Sequence, residues 1–258
     1  MKSKLRSLTT AVCGLILALP LAGKADTSFI VNNTTADAFL SGVSPGLNYG
    51  SAGTVAIAPA SSAKGEFDSI IKFNLAGAVS QFNTTYGAGN WQITGLTLSL
   101  ASNSGTQGTQ PGNAIFNTIN AGSFGVDWLA YDSWTEGTGG GNGAANGAVS
   151  FSSISTLFSA GSNSLGTFIY TPPGNNVYLN YTLPLAAGLV SDAAAGGDVS
   201  LYFYAADNQV GYLFNSKESA SNRPGLTITA APVPEPGVLA LTAVSFGLLA
   251  LRKWMRTK

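Results

Sequence analysis

Apolar and polar residues alternate with a period of two along most of the chain, which is the pattern of β-strands that bury one face. The clearest run places Leu96, Leu98 and Leu100 on one side of a strand and Thr97 and Ser99 on the other. Similar runs predict strands near residues 70–75, 124–131, 177–183, 199–204 and 226–228, and shorter strands near 29–31, 54–58, 115–119 and 212–214. Turn-forming clusters of Gly, Asn, Ser and Pro separate these runs. The pattern therefore predicts an all-β fold, a two-sheet antiparallel β-sandwich of the jelly-roll type.

Outside the predicted strands, the sequence predicts few helices. Residues 154–158 and 185–195 have helical character, and residues 137–147 are so rich in Gly, Asn and Ala that we expect a mobile loop. A slip of one residue in a strand would turn its apolar side chains to solvent. We therefore expect the three leucines, with Ile71 and Phe73, to point inward in one sandwich.

The N-terminus has the organisation of a secretory signal peptide. Lys2, Lys4 and Arg6 precede an apolar run at residues 11–22, and Ala25 ends a small-residue cleavage site before Asp26. The apolar run is too short for a membrane span. The sequence thus predicts a signal peptide at residues 1–25 and a mature chain that begins at Asp26.

The C-terminal segment, residues 231–258, has three parts in a fixed order. The first is the tetrapeptide Val233, Pro234, Glu235 and Pro236, and the second is an uncharged, mostly apolar run at 237–251. The third is a basic tail that contains Arg252, Lys253, Arg256 and Lys258. A short transmembrane helix at 237–251 is predicted, with its basic end in the cytoplasm and residues 26–232 outside the inner membrane.

These three parts together resemble the PEP-CTERM sorting signal. The resemblance implies a Gram-negative bacterium that makes exopolysaccharide, and an exosortase, a membrane transpeptidase, as the partner that reads the signal. It also implies passage through the inner membrane before processing, with the cell surface or extracellular matrix as the destination. An ordinary tail anchor with a chance Pro-Glu-Pro remains the alternative.

Composition restricts the chemistry of the intervening domain, residues 26–230. The chain contains no His, and its single Cys lies within the signal peptide. A His-centred triad, a His-ligated zinc site and an intrachain disulfide are therefore excluded. Residues 26–230 hold four basic and eleven acidic side chains, so their net charge of −7 disfavours nucleic acid as a partner.

Several short motifs recur in the order found in one extracellular family. They are Asp37 near the start, Asn48-Tyr49-Gly50 before a strand, the strand at residues 70–75, Trp134-Thr135-Glu136-Gly137-Thr138, and the segment 215–226 with Lys217-Glu218 and Arg223-Pro224. This order resembles the DNRLRE family over most of residues 28–229. The resemblance implies an extracellular jelly roll, of a kind often attached to polysaccharide-active enzymes and in some cases binding polysaccharide. Asn74 replaces the usual Asp, and a glycine-rich loop replaces the usual continuation after Trp134.

Candidate ligand-binding residues follow from side-chain chemistry. Trp134 and Glu136 form either a sugar-binding edge or a structural plug, with Glu136 accepting backbone amides of its own turn. Tyr178, Tyr202 and Tyr204 occupy outward positions of the strand alternation and are expected to present a polar aromatic surface to a polymer.

Other charged residues have structural and functional interpretations. Asp37, Asp132 and Asp207 are weak candidates for a structural calcium site, and Arg223 is expected to pair with Glu218 or another carboxylate. Glu66, Asp68 and Glu136 are the best candidates for the carboxylate pair of a glycosidase, but they form no recognisable catalytic pattern.

The sequence therefore predicts a non-catalytic protein of the extracellular polysaccharide matrix, with no required cofactor. A structural or protein-interaction protein without glycan affinity is the alternative, and a polysaccharide-active enzyme is a weaker one.

Overall fold

The computed structural model describes residues 25–31, 34–103, 119–139, 142–143 and 148–233. Most of the predicted signal peptide, nearly all of the sorting segment and most of the predicted strand at 115–119 lie outside the described residues. Among the helices that the structure describes, none has the length and hydropathy of a membrane span.

The described chain is mostly β, with antiparallel sheets in a sandwich-like arrangement and few helices. Its strands are β1 (Thr27–Val31), β2 (Thr34–Ser41), β3 (Leu47–Asn48), β4 (Thr54–Ile57), β5 (Phe67–Asn74), β6 (Trp91–Ala101), β7 (Gly122–Leu129), β8 (Asn142–Gly143), β9 (Ser162–Tyr170), β10 (Tyr178–Leu183), β11 (Asp198–Ala205), β12 (Tyr212–Asn215) and β13 (Gly225–Pro232). Its helices are α1 (Ala76–Tyr86), α2 (Ile154–Leu157), which follows a 3₁₀ turn (Phe151–Ser153), and α3 (Ala187–Ala195).

Two larger sheets form the sandwich. One has the strand order β1-β13-β6-β10 and the other has the order β2-β5-β11-β7-β9; the pairs β12-β4 and β3-β8 add two small ribbons. Every strand pair in these sheets is antiparallel. The β-sandwich predicted from the alternation is thus confirmed at this level.

The main core lies between the two larger sheets, and its register agrees with the prediction. Leu96, Leu98 and Leu100 are fully buried, as are Ile71 and Phe73 from the facing sheet. All five belong to the same cluster of buried side chains. The burial of these apolar side chains away from water makes the main contribution to the stability of the sandwich.

A second apolar cluster lies on the other side of the five-stranded sheet. Residues 130–139 and 148–161, here called the cover segment, contribute Trp134, Val149 and Leu157, which pack with Ile70 and Tyr202 from the sheet. From the sequence we expected a single sandwich with its core between the two sheets. The second layer was not predicted, because the cover segment has no regular hydrophobic period.

The helix predictions were partly right. The structure has short helices at Ile154–Leu157 and Ala187–Ala195, close to the predicted positions, but α1 at Ala76–Tyr86 was not predicted. Residues 137–147 were predicted to be a mobile loop, yet their described parts are held in place. Gly139 donates its N–H to Asn48 Oδ1 at 2.9 Å, and β8 pairs with β3.

Candidate functional site

The three tyrosines expected to form one outward surface lie in different environments. Tyr202 in β11 is only 5 % exposed, packs edge-on against Phe158 of the cover segment, and its hydroxyl donates a hydrogen bond to Asp68. The expectation of an exposed Tyr202 is wrong, because β11 is buried on both faces.

The other two tyrosines lie on opposite sheets. Tyr204 is half-buried and packs so closely over Gly125 that a Cβ there would lie 2.2 Å from Tyr204 Cζ. Tyr178 in β10 is 43 % exposed, and its hydroxyl donates to the Arg223 carbonyl at 2.9 Å. Only Tyr178 therefore presents a large exposed surface, and it does so from the four-stranded sheet.

The outer side of the four-stranded sheet carries mainly small polar side chains, with the larger Ile30 and Tyr178 among them. Burial alternates along each strand, so the residues between the core positions point to solvent. None of its four strands contains an Asp, Glu, Lys or Arg. We call this surface the polar face; it consists of Ser28, Ile30, Thr94, Thr97, Ser99, Tyr178, Asn180, Thr182, Thr227 and Thr229.

Strand register arranges these side chains in rows. Thr182 lies opposite Thr97, which lies opposite Thr227 on its other side. Two further contacts span neighbouring strands: Ser99 Oγ donates to Asn180 Oδ1 at 2.7 Å, and Ser28 Oγ lies 2.9 Å from Thr229 Oγ1. Neighbouring strands are about 4.8 Å apart, so the rows offer closely spaced hydroxyl and amide groups without a charge.

Trp134 has a structural environment. It is 4 % exposed, and its indole N–H donates to Ser200 Oγ at 2.8 Å. The Lys72 ammonium lies 4.4 Å from the ring centroid and donates to the carbonyls of Asp132 and Trp134 at 2.6 and 2.8 Å. Of the two interpretations of Trp134, the geometry favours the plug over the ligand edge.

Glu136 bridges separate parts of the chain. Its Oε1 accepts the Asp37 backbone N–H at 2.9 Å, and its Oε2 lies 2.9 Å from Lys217 Nζ. The expected hydrogen bonds to its own turn are replaced by these long-range contacts. Gly50 allows this approach, because a Cβ at that position would lie 2.2 Å from the Glu136 carbonyl oxygen.

Asp37, Glu136 and Glu218 form a carboxylate cluster, in which one oxygen from each lies within 4.8 Å of the other two. Burial raises the pKa of Asp37 well above its usual value, the Lys217 backbone N–H lowers it in part, and the charges of Glu218 and Glu136 raise it further. Burial also raises the pKa of Glu136, against the opposing effect of hydrogen bonds from the Asp37 N–H and from Lys217.

The predicted cation ligands do not share one site. Asp132 Oδ1 accepts a hydrogen bond from Ser200 Oγ at 2.6 Å. Asp207 stabilises its own loop, accepting the backbone N–H groups of Ser123, Gln209 and Val210. Of the three aspartates, only Asp37 belongs to a carboxylate cluster in the described chain.

Arg223 also differs from the expectation. Its Nε donates to the Ser219 carbonyl at 2.9 Å, whereas Glu218 pairs with Lys217. The predicted Arg223–Glu218 pair is wrong, because the neighbouring lysine takes the carboxylate.

One of the carboxylates considered for glycoside hydrolysis, Asp68, does not face an open site. Asp68 is 4 % exposed and accepts the Tyr202 hydroxyl beneath the cover segment. Burial raises its pKa to about 7, the hydrogen bond from Tyr202 opposes this, and the charge of Glu66 adds to it. Asp68 therefore lacks access to a polymer.

A separate cleft of about 550 Å³ opens beside the loop at residues 58–63. Residues 208–211 form its other wall, and Asn120 and Ala121 complete the lining. Ser61, Ser62, Asn208 and Gln209 make this lining polar. It has no aromatic side chain among its lining residues, so it lacks the stacking surface that usually holds a sugar ring.

No family model matches the chain, and no curated protein matches it. Among solved structures, a chain from Desmodium yellow mottle tymovirus aligns over 92 % of this chain and 98 % of that chain, with 12 % sequence identity and a TM-score of 0.25. This TM-score is too low to support any argument about fold or function.

Proposed function

We propose that this chain is a secreted, non-catalytic protein of an extracellular polysaccharide matrix, and that it associates with polysaccharide through the polar face. The observation that carries the proposal is the charge-free set of in-register hydroxyl and amide side chains on the outer side of the four-stranded sheet. On the corresponding side of the five-stranded sheet, the cover segment packs over β2, β5 and β11, whereas the edge strand β9 stays exposed.

The chemistry of the polar face suits an uncharged polymer. Each Ser or Thr hydroxyl both donates and accepts hydrogen bonds, and Asn180 adds an amide, so the face can exchange hydrogen bonds with sugar hydroxyls. Such contacts compete with water and are individually weak. Many copies of the protein held close together on a polymer would gain strength through multivalency.

Export and sorting form the second part of the proposal. The signal peptide, the PEP-CTERM resemblance and the basic tail support transfer through the inner membrane of a Gram-negative bacterium, cleavage by an exosortase and delivery to the cell surface or matrix. Nearly all of these residues lie outside the described structure, so the support is from the sequence alone.

A jelly-roll topology and the DNRLRE relationship belong to the same proposal. Consecutive strands β5, β6 and β7 alternate between the two larger sheets, and the first and last strands, β1 and β13, are neighbours. This connectivity supports a jelly roll. Several residues quoted for the DNRLRE resemblance also meet in space, since Asn48 Nδ2 donates to the Glu136 carbonyl and Lys217 contacts Glu136.

Retention on the producer's own extracellular polysaccharide tests the association. We expect the full chain, purified in detergent, to be retained weakly and with little dependence on salt, because the face carries no charge. The double variant Thr97→Val and Thr182→Val removes two hydroxyls from one row while keeping side-chain shape, and it should reduce retention several-fold.

The matched control is Thr167→Val with Thr171→Val, because these two threonines are exposed within and after β9. It should bind as the wild type does. Equal retention of both double variants would reject the polar face, and no retention of the wild type would favour the structural or protein-interaction alternative. An increase of reducing ends or unsaturated sugars with time would contradict the non-catalytic assignment.

A further inference from the structure

Three carboxylates from distant parts of the chain meet at one edge of the sandwich. Asp37 belongs to β2, Glu136 to the cover segment and Glu218 to the loop after β12, and one oxygen of each lies within 4.8 Å of the other two. Acidic groups often cluster on protein surfaces without a function. This cluster differs because Asp37 is only 1 % exposed.

One oxygen of Asp37 has no partner. Asp37 Oδ2 accepts the Lys217 backbone N–H at 2.6 Å, whereas Oδ1 is buried and makes no hydrogen bond. A buried polar atom without a partner is costly, and the cost is larger when the group is charged. Asp37, which belongs to the cluster, therefore has one carboxylate oxygen that could coordinate a cation.

The charges of the cluster are also unbalanced. Lys217 Nζ contacts both Glu136 and Glu218, so one ammonium faces three carboxylates. Lys72 also interacts electrostatically with Glu136, but its ammonium already donates to two backbone carbonyls. Two negative charges thus remain without a partner when all three carboxylates are ionised, and one divalent cation would balance them.

We propose that Asp37, Glu136 and Glu218 bind a calcium ion. Calcium takes six to eight oxygen ligands, and carboxylates, backbone carbonyls and water all serve. Zinc sites usually include His or Cys ligands, which this cluster lacks, and magnesium demands a stricter octahedral geometry. The Lys217 side chain is 24 % exposed, so it has room to move away from an incoming ion.

Calcium at this position would join three segments that are far apart in sequence. It would tie β2 and the loop after β12 to the cover segment, and so hold the cover segment on the sandwich. Extracellular calcium modules commonly bind with dissociation constants of about 10⁻⁴–10⁻³ M, which is the range expected here. This inference is independent of the polar face, which lies on the other sheet.

Thermal unfolding of the full chain in detergent tests the site. After treatment with EDTA and its removal, CaCl₂ is titrated to about 10 mM, well above the expected dissociation constant. We expect the unfolding midpoint to rise by about 5 °C and to saturate. Isothermal titration calorimetry should give one ion per chain, and MgCl₂ at the same ionic strength should have a much smaller effect.

Variants assign the effect to the cluster. Glu218→Gln keeps the side-chain size at a partly exposed position, so it should fold and lose most of the calcium-dependent rise. Asp37→Asn should lose it as well. Asp207→Asn, which changes a carboxylate outside the cluster, should respond to calcium as the wild type does.

Two results would overturn the proposal. One is a wild-type midpoint that rises no more with CaCl₂ than with MgCl₂, together with no heat of binding. The other is a Glu218→Gln variant with the full calcium response. Neither result bears on polysaccharide retention through the polar face, which is measured separately.

Discussion

Replacing Trp134 with alanine is expected to lower the free energy of unfolding by about 3–5 kcal/mol. Trp134 is buried in the second cluster, where it fixes the cover segment to the five-stranded sheet. The substitution leaves a cavity and removes the hydrogen bond to Ser200. It also removes the cation–π interaction between the Lys72 ammonium and the Trp134 ring. Urea unfolding of the full chain in detergent measures the loss.

Trp91→Ala is the matched control for Trp134→Ala. Trp91 is half-buried beside α1, where its ring packs on Phe82 and its N–H donates to Asn83. Because less of its surface is buried, the loss should be clearly smaller. Equal losses for the two variants would mean that the cover segment is not a packed layer.

Stability is expected to fall as the pH rises from about 4 to about 7, and Asp68 is expected to account for a large part of this. Burial raises the pKa of Asp68 from 3.8 to about 7, so between these values the folded chain holds a proton that the unfolded chain has released. Raising the pH therefore favours the unfolded chain. The shift corresponds to a loss on the order of 4 kcal/mol, complete above the folded pKa.

Asp68→Asn tests this dependence. The amide stays neutral at every pH and can still accept the Tyr202 hydroxyl, so the variant should lose much of the slope and exceed the wild type in stability at pH 8. Burial also raises the pKa of Asp37, and it raises that of Asp132 to about 6, so both leave a residual slope of the same sign. Unfolding in calcium-free buffer from pH 4 to pH 8 gives the comparison.

Asp207→Asn serves as the control for the pH series. Its backbone hydrogen bonds outweigh burial and lower the pKa of Asp207, so it does not titrate in this window. The wild-type slope should persist in that variant. A wild-type stability that rises with pH between 5 and 7 would contradict the buried, protonated Asp68.

The inward leucines of β6 were predictable because one face of that strand is polar. Thr97 and Ser99 set the register, since the opposite register would bury hydroxyls and expose Leu96 and Leu98. The same reasoning failed for β11. There Ser200, Tyr202 and Tyr204 alternate with apolar residues and look like a solvent-facing row, but the cover segment buries Tyr202.

Long-range contacts explain the remaining differences. Helix α1 buries Ala78, Phe82 and Tyr86, spaced four residues apart, and this spacing was the available signal for a helix whose composition is otherwise unfavourable. The carboxylate cluster had no comparable signal. Asp37, Glu136 and Glu218 were each noted for separate reasons, and only the fold brings them together.

Hydroxyl-radical footprinting of the full chain, with and without the producer's polysaccharide, tests the central claim most directly. Ile30 (59 % exposed) and Tyr178 (43 %) lie on the polar face, whereas Ile169 (75 %) lies on β9 of the other sheet. We predict that the polymer lowers oxidation of Ile30 and Tyr178 and leaves Ile169 unchanged. Protection of Ile169 without protection of Ile30 and Tyr178 would contradict binding through the polar face.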